Sequence, residues 1–280
     1  MKENYVNKNG NLVLKSELNL GINRAMRFGD GLFETIRIIN GDLVWWTEHF
    51  DRLQKGMRYL KLDLPELFID ELLVDCLATI HRNQIKEGGI LRVFVFRKGS
   101  GGYIPTNYDF EYLIETVGLS SNKFSLNKNG LKIGISNTVT INPSDESELK
   151  TLNKIPYIRA GIEAVNMGWD DILILNQKAK LVEASSSNLF IIKNGEILTP
   201  RVIDGILKGV ARQKLIELAK ENDWPIRAKD LKESDLLEAE EVFLSNSISG
   251  IRWVGSFKNK RYFNKHSKQI LGSLQEFIGH

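Results

Sequence analysis

The sequence predicts an α+β chain of two domains, on three observations. Alternating β-branched runs and amphipathic helical runs are interleaved rather than segregated, and the first half runs hairpin, helix, helix, hairpin. A polar stretch at residues 120–130 then separates this half from a second, longer mixture of the same kind. With 280 residues, 42% of them hydrophobic and 26% charged, the chain is long enough for two ordinary domains with buried cores.

Leu32 to Ile39 alternates and is β-branched, so a strand is predicted there; Asn40-Gly41 is a hairpin signal, and Leu43 to Trp46 is the expected return strand. Thr47 is the expected cap of an amphipathic helix that buries Phe50, Leu53, Met57 and Leu60 on one face. A longer helical run from Glu66 to Ile85 follows, and Ile90 to Phe96 and Phe110 to Val117 read as two more strands. Residues 1–119 thus form a smaller α+β domain, and 120–130, holding Asn122, Asn127, Asn129 and Gly130, the linker. The larger domain, 131–280, is expected to open with a strand at Leu131 to Ser136 and a helix at Thr151 to Met167 with Pro156 early in it. Short strands from Asp171 to Pro200 are broken at Asn176-Gln177 and Asn194-Gly195. Helices near Gly209 to Asn222 and Leu231 to Leu237 and strands near Val242 to Ser245 and Ile251 to Val254 complete it. There is no internal repeat and no low-complexity segment.

Composition narrows the chemistry. Cys76 is the lone cysteine, so no intrachain disulfide and no thiol-rich metal site can form. The four histidines, His49, His81, His266 and His280, are scattered without ligand spacing, and no metal is expected. A formal charge of +3, from 38 basic and 35 acidic residues, is too balanced to argue for a nucleic-acid partner. The basic stretch Lys258 to Lys268, with Tyr262 and Phe263 interleaved, reads as a solvated approach to a helix because no stacking or phosphate motif accompanies it. The start, Met1-Lys2-Glu3-Asn4-Tyr5, is polar and no apolar run is long enough to span a bilayer, so a cytoplasmic location without membrane contact is expected.

The stretch from Leu149 to Phe190 is the most informative. Lys150-Thr151-Leu152-Asn153 opens a helix-like segment, and a turn bearing Glu183-Ala184-Ser185-Ser186-Ser187-Asn188 follows. A pyridoxal phosphate site needs a lysine for the aldehyde, a carboxylate for the ring nitrogen, and a cation with backbone amides for the phosphate. Lys150 and Glu183 supply the first two, and Gly205 to Arg212 brings a glycine-bearing loop into a helix start whose free amides attract anions. Ser245-Asn246-Ser247, after a buried-looking strand, offers a hydroxyl, and Arg52, off the apolar face of its helix, a cation. Each feature alone also has a plain reading, as a solvated lysine, a turn carboxylate, turn chemistry or a surface arginine.

Taken together and in order, these segments resemble the class IV aminotransferase family, the fold-type IV pyridoxal-phosphate enzymes that include branched-chain aminotransferase, D-amino acid aminotransferase and aminodeoxychorismate lyase. Phe28-Gly29-Asp30-Gly31-Leu32-Phe33-Glu34-Thr35-Ile36-Arg37 and Glu48-His49-Phe50-Asp51-Arg52-Leu53 are similar to two N-terminal motifs, and the resemblance implies that Arg52 binds the phosphate. Lys150-Thr151-Leu152-Asn153 resembles the Schiff-base lysine segment, which makes Lys154 the lesser candidate. Val182 to Phe190 resembles the segment whose glutamate binds the ring nitrogen, with Ala184 in place of glycine. Gly209-Val210-Ala211-Arg212 resembles the phosphate-binding helix start, with Val210 and Ala211 contributing backbone amides, and Ser247 falls where a phosphate-binding hydroxyl is placed. The resemblance implies a D-amino acid aminotransferase-like fold with the active site between the domains, the larger C-terminal one carrying the Schiff-base lysine, and a homodimer. It also implies transamination of a branched-chain or D-amino acid or, as the alternative, lysis of aminodeoxychorismate to 4-aminobenzoate and pyruvate in folate synthesis. Arg97, before Lys98-Gly99-Ser100-Gly101-Gly102, and Arg92 are the implied candidates for the substrate carboxylate, and Phe33 stands where some relatives use a tyrosine on cofactor or substrate. Ile251-Arg252-Trp253-Val254 departs from the family's Ile-Thr-Pro-Val.

Overall fold

The computed structural model describes residues 4–278. Met1 to Glu3 of the polar start and His280, one of the four scattered histidines, lie outside the described residues. The chain divides into two compact units: the first runs to Lys123 and includes Leu149–Asn153, and the second comprises Phe124–Glu148 and the chain from Lys154 onward. The five residues around Lys150 therefore belong with the first unit, not with the larger C-terminal domain expected to carry them.

In the first unit, β1 (Tyr5–Lys8), β2 (Asn11–Leu14), β3 (Gly31–Ile39), β4 (Asp42–Leu43), β5 (Gly88–Arg97) and β6 (Phe110–Leu119) form an antiparallel sheet in the order β2-β1-β6-β5-β3-β4. A short helix α1 (Arg24–Phe28) precedes β3, and α2 (Trp46–Tyr59) and α3 (Phe68–Arg82) cover one face of the sheet. The period-two alternation of β3 turns Leu32, Ile36 and Ile38 into a core shared with Phe50, Leu53 and Met57 of α2 and Leu72, Cys76 and Ile80 of α3. The return strand expected at Leu43 to Trp46 is only the two residues of β4, because Trp45 turns the chain with φ of 57° straight into α2. Thr47 accordingly lies inside the helix and is not its cap.

In the second unit, β7 (Leu131–Ile141), α4 (Ile155–Asn166), β8 (Asp171–Asn176), β9 (Leu181–Ala184), β10 (Asn188–Lys193), β11 (Glu196–Thr199), α5 (Val210–Glu221), β12 (Ile226–Ala228), α6 (Glu233–Glu238), β13 (Glu241–Asn246), β14 (Gly250–Phe257), β15 (Lys260–Arg261) and α7 (Lys265–Ile278) build a mixed sheet with helices. Its strand order is β12-β11-β10-β13-β14-β7-β8-β9, with β15 on β14. Strand β9 also pairs with β10 through Glu183 and Asn188, so six strands close into a ring with those two residues at the seam. Pro156 stands at the start of α4, where its missing N–H costs nothing, and the helix expected from Thr151 begins only at Ile155. The basic stretch is absorbed into β15 and α7, and Tyr262 is buried with its hydroxyl donating to the Leu236 carbonyl. Among the described residues no helix is long and apolar enough to cross a membrane, and no cluster of metal-ligating side chains occurs.

Candidate active site

The first unit places Lys150 by backbone pairing. Its segment lies extended along the edge of β3: the Phe33 N–H donates to the Lys150 carbonyl at 2.9 Å, the Leu152 N–H donates to the Gly31 carbonyl at 3.0 Å, and Thr151 pairs with Leu32. The helix-like segment expected at Lys150 to Asn153 is thus extended chain. Because side chains alternate along extended backbone, Lys150 shares a face with Phe33, and its Nζ sits 4.4 Å from the centre of that ring. Phe33 stacks in turn on Phe94 of β5, with ring centres 6.2 Å apart. Gly29, at φ of 66°, ends α1 where any Cβ would collide with the Asn153 side chain, so the turn before β3 and the lysine segment fit together only with glycine there.

On the opposite, core-facing side of β3, Glu34 is buried, and Arg52 on the flank of the buried face of α2 forms a two-pronged ion pair with it. Arg52 Nε donates to Oε1 at 2.8 Å and Nη2 to Oε2 at 2.6 Å. His49 Nδ1 lies 2.7 Å from the same Oε2. Burial would raise the Glu34 carboxyl, but Arg52 and His49 outweigh it and hold the pKa down at about 2. Burial pushes the His49 imidazole down, with Glu34 restoring part of the loss, so the neutral ring donates Nδ1–H to Glu34. Its Nε2 is buried without a hydrogen-bond partner among the described residues. The depressed Glu34 pKa gives stability that is present above the ordinary carboxylate range and is lost as pH falls from about 4.5 toward 2. Glu34→Gln is therefore expected to cost roughly 3 kcal/mol near neutral pH. It is also expected to flatten the acid arm of the stability curve in urea titrations between those pH values; an unchanged acid slope would refute the pairing.

Both arginines expected at the substrate carboxylate already have acidic partners. Arg97 is buried; its Nε donates to Asp30 Oδ2 at 2.9 Å and its Nη2 to the Leu60 carbonyl at 2.5 Å. Asp30 also accepts from Arg24 Nε, and Arg24 Nη1 holds the Ser100 and Gly102 carbonyls of the glycine-rich loop. Arg92 is half-exposed and paired with Glu115 at 2.9 Å, beside Lys15.

The second unit holds Glu183 at the seam of its closed ring, buried. Tyr157 Oη donates to Glu183 Oε1 at 2.7 Å, Asn188 Nδ2 to Oε2 at 3.0 Å, and the Leu207 N–H to both oxygens at 3.1 Å. These three donors are neutral. Burial and the Glu183 carboxylate push the Tyr157 phenol far up, so it stays protonated and donating. Gly209 caps α5 where a Cβ would collide with the Asn188 side chain, and Val210 and Ala211, both buried, begin the helix with backbone N–H groups that have no partner within it. Ser247 sits in the turn after β13, half-buried, beside the Asn246 side chain that accepts from the Ile248 and Ser249 N–H groups.

Sequence reasoning passed over Glu34, His49, Tyr157 and Arg212. Arg212 is buried in the first turn of α5, donates to Thr199 Oγ1 and to the Pro200 carbonyl, and is pulled down to about 10 by burial against an opposing pull from Glu183. Arg252, the departure noted above, pairs with buried Asp171, which also accepts from Ser185 Oγ at 2.7 Å and so steadies the turn beyond Glu183.

Comparison with known proteins gives one consistent answer. Residues 31–257 match the family model for amino-transferase class IV. A putative branched-chain-amino-acid aminotransferase of Methanocaldococcus jannaschii is 30% identical over 96% of this chain and 93% of its own length. The aminodeoxychorismate lyase of Vibrio harveyi is 25% identical over 90% of this chain and 93% of its own. The crystal structure of a branched-chain aminotransferase from Thermoproteus uzoniensis superposes with a TM-score of 0.90 at 23% identity, over 99% of this chain and 95% of that one, a likeness of fold.

Proposed function

The chain belongs to the class IV aminotransferase family, and from that premise we propose that it is a pyridoxal-phosphate enzyme that moves the amino group of an amino acid with an apolar side chain onto a 2-keto acid. The residues present fit the cofactor. Lys150 offers an amine set against an aromatic face, Glu183 offers a buried carboxylate held by Tyr157, Asn188 and Leu207, and α5 offers first-turn N–H groups at Val210 and Ala211 that have no partner within the helix. In this reading Lys150 takes the aldehyde, Glu183 the ring nitrogen, and Arg52, the Val210 and Ala211 amides and the Ser247 hydroxyl the phosphate. When bound, pyridoxal phosphate supplies an electron-accepting ring that makes the α-proton of an amino acid acidic.

The other tasks fall to the chain. The Lys150 amine would serve as the base that takes the α-proton of the donor at Nζ and holds it for return. Tyr157, Asn188 and the Leu207 N–H fix the Glu183 carboxylate so that its charge stays aimed at one place without reorganising. Glu34 and His49 hold the Arg52 guanidinium in one orientation for an anion.

One observation carries the preference for an apolar donor. The Phe33–Phe94 stack lies beside Lys150; Arg92 and Arg97, the two candidates for a substrate carboxylate, pair with Glu115 and Asp30 as Arg52 pairs with Glu34, and Arg97 keeps a buried Nη1 without a hydrogen-bond partner among the described residues. The relative from Methanocaldococcus jannaschii, named for branched-chain amino acids, supports the same preference. A second reading, lysis of aminodeoxychorismate, is supported by the relative from Vibrio harveyi and by the glycine-rich loop that Arg24 grips at Ser100 and Gly102. A homodimer is part of the proposal under either reading.

The test is the absorption spectrum of the cofactor-saturated protein before and after adding single L- and D-amino acids with no keto acid present. Loss of the visible band with release of one equivalent of 2-keto acid, largest for branched aliphatic donors, is the expected result. An unchanged spectrum across the panel, with pyruvate and 4-aminobenzoate released from aminodeoxychorismate, would establish the second reading instead.

A further inference from the structure

Helix α4 packs on the sheet of its own unit through Ala160 and Ala164, which are buried with Ile172 and Ile174 of β8 and Val182 of β9. Tyr157 falls three and seven residues before these alanines, on the same face of the helix, and its ring packs against the same cluster. The phenol therefore points along the sheet to Glu183, and its Oη donates to Oε1 at 2.7 Å. Lys154, the residue before the helix, stands three positions from Tyr157 and sets its Nζ 5.0 Å from the centre of that ring. An ammonium at this distance draws on the π electrons of a phenol and polarises its O–H into a stronger donor. Ammonium, phenol and carboxylate thus form a chain of three. The other two donors to Glu183 are tied to the fold: Asn188 Nδ2 also donates to the Leu207 carbonyl, and the Leu207 N–H is backbone. Arg212, the cation on α5 that Glu183 influences, donates to Thr199 Oγ1 and the Pro200 carbonyl. Of the three donors, Tyr157 is the one whose strength a single side chain, Lys154, can set.

We propose that Tyr157, with Lys154 over its ring, is a positioning residue that sets how a proton is shared between Glu183 and the ring nitrogen of the cofactor. The proposal rests on the reading above, in which Glu183 meets that nitrogen, and deepens it by naming what tunes the pair. A hydrogen bond given to a carboxylate favours its charged form. A carboxylate held in that form leaves the shared proton on the ring nitrogen, and a protonated ring draws electrons more strongly from the α-carbon. Loss of the phenol lets the proton move toward Glu183 and weakens that pull. The same chain gives Lys154 a task of its own, distinct from the amine chemistry of Lys150: it acts on the ring nitrogen through two intervening groups and touches neither cofactor nor substrate.

The test is the nitrogen NMR resonance of ring-labelled pyridoxal phosphate bound to the full chain, read beside the rate of α-proton transfer from an α-deuterated donor. Tyr157→Phe, which removes only the hydroxyl, is expected to move the ring resonance toward that of an unprotonated pyridine and to slow proton transfer by about tenfold, the lower end of what losing a supporting hydrogen bond costs. Lys154→Met keeps the hydroxyl and its bond. It is expected to move the resonance in the same direction by less, with turnover down only about twofold, and it decides the question if Tyr157→Phe does not fold. A ring resonance and a transfer rate unchanged in both variants would overturn the inference and leave Tyr157 as a bolt between α4 and the sheet, whatever the variants do to stability. A response to Tyr157→Phe alone would strike Lys154 from the chain and keep the phenol. A wild type that takes up no cofactor, or whose ring resonance is the same in Glu183→Gln, would instead overturn the reading of the site on which the inference rests.

Discussion

Replacing Lys150 with alanine is expected to abolish both transamination and the visible absorption of bound pyridoxal phosphate, whereas Lys154→Ala is expected to retain them. The two lysines are only four residues apart, but the backbone separates their roles. Lys150 is pinned on extended chain by the bonds between Phe33 and Lys150 and between Leu152 and Gly31, and its Nζ lies over Phe33. Lys154 stands at the start of α4 with its Nζ 5.0 Å from the centre of the Tyr157 ring, in a different unit of the chain. A one-residue slip in the pairing would turn Lys150 toward the other face of β3, so a neighbouring amine cannot inherit the position by small adjustment. With the amine gone, both the covalent step and the proton transfer lose their group, and turnover should fall by ~10⁴-fold or more. Retained turnover in Lys150→Ala, or loss of both signals in Lys154→Ala, would transfer the role to Lys154.

Local pattern carried most of the elements, and long-range pairing accounts for what it missed. Strand β3 and the buried face of α2 follow from alternation and helical spacing, since each buries a face that the sequence itself marks apolar. The extended run at Lys150 to Asn153 departs from the expected helix because its partner, β3, lies more than a hundred residues earlier, and nothing local distinguishes an edge pairing from a first helical turn. The hairpin β1–β2 was missed although Asn9-Gly10 is its turn signal, because its strands are four residues each and partly polar. For the site, the motif lysine, glutamate and helix start were legible, but their supports were not. Glu34 did leave a signal: it occupies a position in the alternation of Leu32, Ile36 and Ile38 that faces the core, and a carboxylate there requires a buried cation. Tyr157 left none, since its bond to Glu183 depends on where α4 packs.

Glu183→Gln is expected to keep the cofactor bound but to lower turnover by about a thousandfold, because the substitution removes a charge that neutral neighbours cannot replace. The carboxylate in this position accepts from Tyr157, Asn188 and Leu207. A glutamine offers one acceptor oxygen and one amide nitrogen: with the nitrogen toward Asn188 two donors meet, and with it toward Tyr157 the hydroxyl must turn to accept while the Leu207 N–H loses one of its two acceptors. The mismatch should cost about 1–3 kcal/mol of stability in a buried setting, a loss readable in urea titrations of the cofactor-free protein. The kinetic loss has a separate origin. Without a carboxylate opposite the ring nitrogen, the α-proton becomes harder to remove, so its transfer should come to limit the rate and the isotope effect with an α-deuterated donor should grow. A folded Glu183→Gln with turnover within a few-fold of wild type and an unchanged isotope effect would remove Glu183 from the chemistry and leave it as a seam residue between β9 and β10. Stability and isotope effect together separate the two roles, since a residue that only closed the ring would move the first and not the second.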